Sequence, residues 1–167
     1  MFSSDFHPRK KFGQNFLIDK NIIRKISKVT SLTKDDTILE IGPGKGILTK
    51  ELAPIVNEVV AVELDKKLYN DLLGSTKEFN NIRLINADIL KFNLKNFISQ
   101  LKINNKIHIV ANIPYSITTP ILEYIFQNIE LLENIYLMVQ KEFAQRLTAR
   151  PNTKDYSSIS CFVQFYT

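Results

Sequence analysis

The sequence predicts an α/β fold built on a mostly parallel sheet, and three observations carry that prediction. Five short apolar, β-branched runs alternate with segments of helical period; this βαβαβαβαβ order calls for right-handed crossovers and helices on both faces of the sheet. The first run leads straight into Gly42-Pro43-Gly44-Lys45-Gly46, a glycine loop between strand and helix. The second ends in acid, with Glu63 about 20 positions beyond Gly42, the spacing at which a carboxylate accepts hydrogen bonds from a ribose.

Composition narrows the class. At 167 residues, 44% of them hydrophobic, the chain is expected to form one domain over 1–167, without internal repeat or linker. A net charge of +5, from 22 Lys+Arg against 17 Asp+Glu, suits a polyanionic partner without specifying one. Cys161 is the single cysteine, which excludes an internal disulfide and a cysteine-rich zinc site, and with two separated histidines no metal centre is expected. No apolar stretch is long enough to cross a bilayer, and the first residues lack the apolar core of a signal peptide. A soluble, cytoplasmic protein in a reducing compartment is predicted.

Residues 1–19 combine Arg9, Lys10 and Lys11 with an aromatic-rich loop, Phe12-Gly13-Gln14-Asn15-Phe16-Leu17-Ile18-Asp19; it reads either as a basic tail with a hydrophobic anchor or as part of a site. Asp19 is placed to cap a helix over 20–30, whose apolar face is Ile22, Ile23, Ile26 and Val29, with Arg24, Lys25 and Lys28 towards water. Residues 37–41 form the first strand, and a helix follows the glycine loop through Ile47, Leu48, Leu52 and Ala53. A glycine loop on its own can simply pack a helix onto a strand. Paired with the acidic end of the second strand, 59–65, it reads as a nucleoside site. The third glycine of the dinucleotide fingerprint is not matched, which argues for a ligand with little or no phosphate.

Leu68, Leu72 and Leu73 carry the next helix, and the third strand, 82–87, ends at Asp88. That acid either accepts a hydrogen bond from an adenine amine at the sheet's carboxyl edge or caps the following turn. A helix is expected over 94–103, a fourth strand over 106–111, a helix over 119–128 and a fifth strand over 135–140. Residues 141–150 read as a helix basic on one side, 151–156 as a loop and 157–167 as a last buried segment. His108 points into a strand, and Cys161 reads as a small buried apolar residue.

Directly after the fourth strand stands Asn112-Ile113-Pro114-Tyr115-Ser116. Proline stops the ladder, so an amide, a rigid turn and an aromatic ring meet at the carboxyl end of a strand, where open α/β sheets bind ligands. A structural reading packs Tyr115 into the core and lets Asn112 satisfy a loop. A chemical reading uses the Asn112 oxygen and the Ile113 carbonyl to accept both hydrogens of an adenine amine, making its nitrogen more nucleophilic, while Pro114 fixes that carbonyl and Tyr115 stacks on a flipped base.

Taken together, Lys11-Phe12-Gly13-Gln14-Asn15-Phe16-Leu17, Glu40-Ile41-Gly42-Pro43-Gly44, Glu63-Leu64-Asp65, Asp88, Asn112-Ile113-Pro114-Tyr115 with Thr119-Pro120, and Gln140-Lys141-Glu142 resemble the ribosomal RNA adenine dimethyltransferase family. The resemblance implies a Rossmann-like, S-adenosylmethionine-dependent methyltransferase fold that dimethylates two adjacent adenosines near the 3′ end of small-subunit (16S) ribosomal RNA, in a pre-30S particle. It also implies that Asn15, Leu17, Gly42, Gly44, Glu63, Asp88 and Asn112 contact the cofactor. Asn112, Ile113, Pro114 and Tyr115 would align and stack the target base.

Two departures stand out. Ser116 replaces the asparagine usual after the tyrosine. The family's methyltransferase domain also continues with two further strands and a helical RNA-binding domain that this sequence lacks. A truncated catalytic portion is therefore expected, weakly active and inclined to self-associate through the edge of its fifth strand. Three other readings compete: a large-subunit dimethyltransferase of the macrolide-resistance type, a non-catalytic nucleic-acid-binding assembly or transcription factor, and a nicotinamide dehydrogenase. Thr119-Pro120 and Gln140-Lys141-Glu142 favour the small-subunit enzyme over the first, retention of Asn112, Pro114 and Tyr115 argues against the second, and the glycine spacing argues against the third.

Overall fold

The computed structural model describes residues 19–101 and 106–167, with Lys20 and Tyr115 described by their backbone alone. The chain divides after Leu137 into two compact units. The first contains α1 (Lys20–Val29), β1 (Thr37–Ile41), α2 (Ile47–Leu52), β2 (Glu58–Glu63), α3 (Lys66–Ser75), β3 (Ile82–Asn86), α4 (Leu94–Leu101), β4 (Ile107–Asn112), α5 (Thr118–Gln127) and nearly all of β5 (Leu132–Met138). The second contains α6 (Lys141–Leu147) and α7 (Ser158–Tyr166).

The strands lie in the order β3-β2-β1-β4-β5 and pair in parallel. Chain order reverses between β1 and β4, which makes their carboxyl ends the switch point where a crevice opens. Register makes this concrete: Ile41 pairs with Ala111 and with Val62, so Gly42, Asn112 and Glu63, each one position further on, emerge side by side. The period-2 alternation of the strands feeds two cores. Leu39, Ile41, Val60, Val62, Ile109 and Ala111 face α5, whereas Ile38, Val59, Ala61 and Val110 pack with α1 and α2.

Asp19 caps α1 as expected, its carboxylate accepting from Asn21 N–H at 2.8 Å. Ile23 is buried on α1, but Ile22 and Val29 are exposed, so its apolar face is narrower than the sequence suggested. Leu73 likewise faces water while Leu68 and Leu72 are buried. β5 starts at Leu132 and ends at Met138, earlier than the expected 135–140. Its opening residues include the exposed Glu133 and Asn134, polar positions a border strand tolerates, and Asn134 is used: its Nδ2 donates to His108 Nδ1 at 3.3 Å. His108 Nε2 in turn donates to Asp36 Oδ1 at 3.2 Å, so this buried ring is spoken for at the amino ends of the strands.

The segment 157–167 is not a buried one. It is mostly the helix α7, whose buried residue is Ser160 and whose Phe165 is 82% exposed. The reason lies in α6, whose final carbonyls need donors. Ser160 Oγ donates to Arg146 O, and Gln164 Nε2 donates to Ala149 O at 2.9 Å and Leu147 O at 3.3 Å. The polar i, i+4 stripe of α7 thus turns towards α6 and leaves aromatic rings outside. Cys161 is exposed rather than buried, with Sγ–H donating to Tyr156 Oη at 3.0 Å.

Candidate active site

A cleft of about 180 Å³ opens at the switch point, lined by the glycine loop, the end of β2, Asp88 and the turn after β4. Its lining includes Gly42, Gly44, Glu63, Asp88, Asn112, Pro114 and Ser116, so the structure gathers most of the residues singled out from sequence around one space. Asn15 and Leu17 lie outside the described residues, as does the Tyr115 side chain.

The glycine loop approaches the cleft with left-handed backbone. Gly42 has φ +68°, and a Cβ built there would meet nothing within 4 Å, so the backbone conformation rather than crowding requires glycine. Gly42 N–H donates to Val62 O at 3.0 Å, stitching the loop to the end of β2.

Glu63 is buried and oriented. Its Oε2 accepts from Gly44 N–H at 3.1 Å and its Oε1 from Asp65 N–H at 2.8 Å. Burial pushes its pKa up, and those N–H bonds offset part of the rise. Asp65 caps α3, accepting from Lys67 N–H at 2.8 Å, which holds the corner that carries the Glu63 bond. Of the two roles left open by its sequence position, Asp88 takes the capping one, and it stands at the cleft. Its Oδ1 accepts from Leu90 N–H at 3.1 Å to cap a 3₁₀ turn over Ile89–Lys91, and the residue also lines the cleft.

The turn after β4 is held at both ends. Asn112 closes the strand, Ile113 is buried, and Pro114 (φ −59°, ψ 133°) leads into a 3₁₀ turn over Tyr115–Ile117. The Pro114 carbonyl accepts from Ile117 N–H at 3.2 Å and from Thr118 Oγ1 at 3.3 Å, tying the turn to the first residue of α5.

One residue given no role from sequence stands out. Glu40 sits inside β1, is 2% exposed and lines the cleft, and its Oε2 has no hydrogen-bond partner. Burial raises its pKa to about 7; the neighbouring Thr49 hydroxyl works against the rise, though its Oγ1 is not in hydrogen-bond geometry with any group. The signal was an acid within an otherwise apolar strand. Around this cleft, then, stand one oriented carboxylate, one orphaned carboxylate oxygen, an acid at the third strand and an amide beside a rigid turn. Such a set suits a ligand with hydroxyl and amine donors and a cationic end.

The molecule resembles known proteins over nearly all its length. A family model described as ribosomal RNA adenine dimethylase matches residues 5–167. Ribosomal RNA small subunit methyltransferase A of Lachnoclostridium phytofermentans is 45% identical over 159 residues, covering 95% of this chain and 55% of that protein. The protein of the same name from Lactococcus lactis is 45% identical over 163 residues, covering 97% and 55%. This chain therefore spans about half the length of the curated relatives it matches. Among solved structures, a dimethyladenosine transferase from Plasmodium falciparum superposes with a TM-score of 0.77 at 27% identity, covering 90% of this chain and 52% of that one. The 23S rRNA methyltransferase ErmE superposes with a TM-score of 0.73 at 31% identity, covering 89% and 55%. The fold is thus the Rossmann-like methyltransferase fold that the sequence resemblance implied. With the family pattern extending from residue 5 to residue 167, across both the glycine loop and the Asn112 turn, this chain belongs to the ribosomal RNA adenine dimethylase family.

Proposed function

We propose that this chain is the catalytic portion of an S-adenosylmethionine-dependent dimethyltransferase acting on two adjacent adenosines of small-subunit ribosomal RNA during cytoplasmic ribosome assembly. The observation that carries the reading is the meeting of Glu63, Asp88 and the Asn112–Pro114 turn on one cleft at the sheet's switch point.

The residues present fit the cofactor. Glu63, held by two backbone N–H groups, offers its remaining lone pairs to ribose hydroxyls, and Asp88 offers an acceptor to an adenine amine. The orphan oxygen of Glu40 would be satisfied by a cationic end, and left-handed Gly42 and Gly44 let backbone come close. Asn15 and Leu17 would complete these contacts. When bound, the cofactor supplies an electrophilic methyl on a sulfonium. The chain's part is to place the acceptor nitrogen. Asn112 and the Ile113 carbonyl accept its two hydrogens, the Pro114 ring restricts the turn, and Tyr115 stacks on the flipped base, a contact worth about 1–3 kcal/mol. Positioning and polarisation carry the rate, so no side-chain general base is assigned.

Calorimetric titration of S-adenosylmethionine into the chain, paired with methyl transfer to isolated small and large ribosomal subunits, tests this. Saturable one-to-one binding is expected, with transfer to small subunits that Asn112→Ala abolishes. Transfer to large subunits alone would overturn the substrate assignment, and binding of NAD with none of S-adenosylmethionine would overturn the whole reading.

A further inference from the structure

A residue outside the cleft lining is bonded to the corner that carries the Glu63 carboxylate. Asn86 closes β3 directly opposite Glu63 in the parallel register. Its Nδ2 donates to Glu63 O at 2.8 Å and to Leu64 O at 3.3 Å, and two carbonyl acceptors on the same side fix which way the amide faces. These are consecutive carbonyls of the corner where β2 turns into α3. The second matters most, because Leu64 C=O and Asp65 N–H belong to one planar peptide unit. That Asp65 N–H is the donor to Glu63 Oε1 at 2.8 Å. The chain of contacts therefore runs from the Asn86 amide to the Leu64 carbonyl, through the rigid peptide, and out of its far side to the Glu63 carboxylate.

We propose that Asn86 is a positioning residue for cofactor binding, acting through the Leu64–Asp65 peptide to hold the Glu63 carboxylate towards the cleft. Holding the carbonyl end fixes the plane's rotation and polarises its N–H, so the bond to Glu63 is both better aimed and stronger. Without the amide, the corner keeps its ladder bond from Ala87 N–H to Glu63 O at 3.1 Å and its Asp65 cap, so the fold survives while the peptide is free to tilt.

The inference rests on the proposed use of Glu63 as a cofactor ligand, and its test separates the two. S-adenosylmethionine is titrated calorimetrically into the wild-type chain, Asn86→Ala, Glu63→Gln and the double variant, with thermal melting as the fold control. Loss of one hydrogen bond predicts about fivefold weaker binding for Asn86→Ala. The double variant is expected to bind no more weakly than Glu63→Gln, because Asn86 acts through Glu63. Wild-type affinity in Asn86→Ala, or losses that multiply in the double variant, would overturn the proposal. Should the wild-type chain bind no S-adenosylmethionine, the cofactor reading falls by itself. The relay is then judged by carbon-13 NMR titration of the Glu63 carboxyl: Asn86→Ala must move its titration to higher pH, and an unmoved midpoint rejects the relay.

Discussion

Glu40 breaks the rule that a buried charge needs a partner, and that makes its titration informative. Its ordinary value is 4.5 and burial raises it to about 7. Below pH 4.5 the group is protonated in folded and unfolded chains alike. Between 4.5 and 7 the unfolded chain releases the proton and the folded chain keeps it, so folding stability falls as pH rises through that window. By pH 8 the penalty is complete, on the order of 3 kcal/mol at 1.36 kcal/mol per pKa unit. Glu40→Gln removes that titration while keeping size and polarity. The variant is expected to melt above wild type at pH 8 and close to it at pH 4, and to bind S-adenosylmethionine more weakly at pH 8, where the wild-type carboxylate is ionised. Parallel melting curves against pH for the two proteins would show that Glu40 ionises freely. An acid at the end of a strand, as at Glu63 and near Asp88, has a recognised place in nucleoside sites, and the position of those two at the cleft was legible from sequence. Glu40 precedes the loop by two positions and faces α2, and its role rests on burial, which sequence does not report.

At the scale of elements, the strand–loop–helix unit of β1 and α2 is built around Gly46 as much as around the cleft. Gly46 has φ +69°, and a Cβ there would lie 2.3 Å from Leu72 Cδ2 on α3. Left-handed backbone costs a residue with a side chain about 1–2 kcal/mol, and displacing a fully buried leucine adds to it. Gly46→Ala should therefore destabilise by about 2–4 kcal/mol in urea unfolding, the packing cost adding to the backbone cost. Combining it with Leu72→Ala should cost less than the sum of the single losses, because the truncated leucine makes room. Strict additivity would mean that Leu72 does not oppose the new methyl. The loop, β1, β2 and β4 were legible because apolar runs and glycines share one physical cause, burial beside a tight turn. β5 was read three residues late because its opening is polar, and α7 was read as buried because its composition is apolar. What decides α7 is a long-range need, the donors required by the last carbonyls of α6, and no local pattern encodes it.

At the scale of the whole molecule, the cleft is lined by residues from Glu40 to Ile121, all within the first compact unit. Ligand affinity at the cleft is thus a property of the first unit's residues, while the chain's net charge of +5 acts at long range on any anionic partner. The sheet has a different consequence. β5 is the last strand in the order, and no described strand lies beyond it. It carries Ile135, Tyr136, Leu137 and Met138, all half-buried, and a single charge, Glu133. A border strand protects itself with charge, proline or a bulge, and this one has little of any. Sedimentation velocity across a wide concentration range is expected to show reversible association. Met138→Lys puts a charge on that border without touching the residues of either core cluster and should shift the equilibrium towards monomer. A wild-type chain that stays monomeric throughout, or association untouched by the lysine, would place the contact elsewhere or remove it.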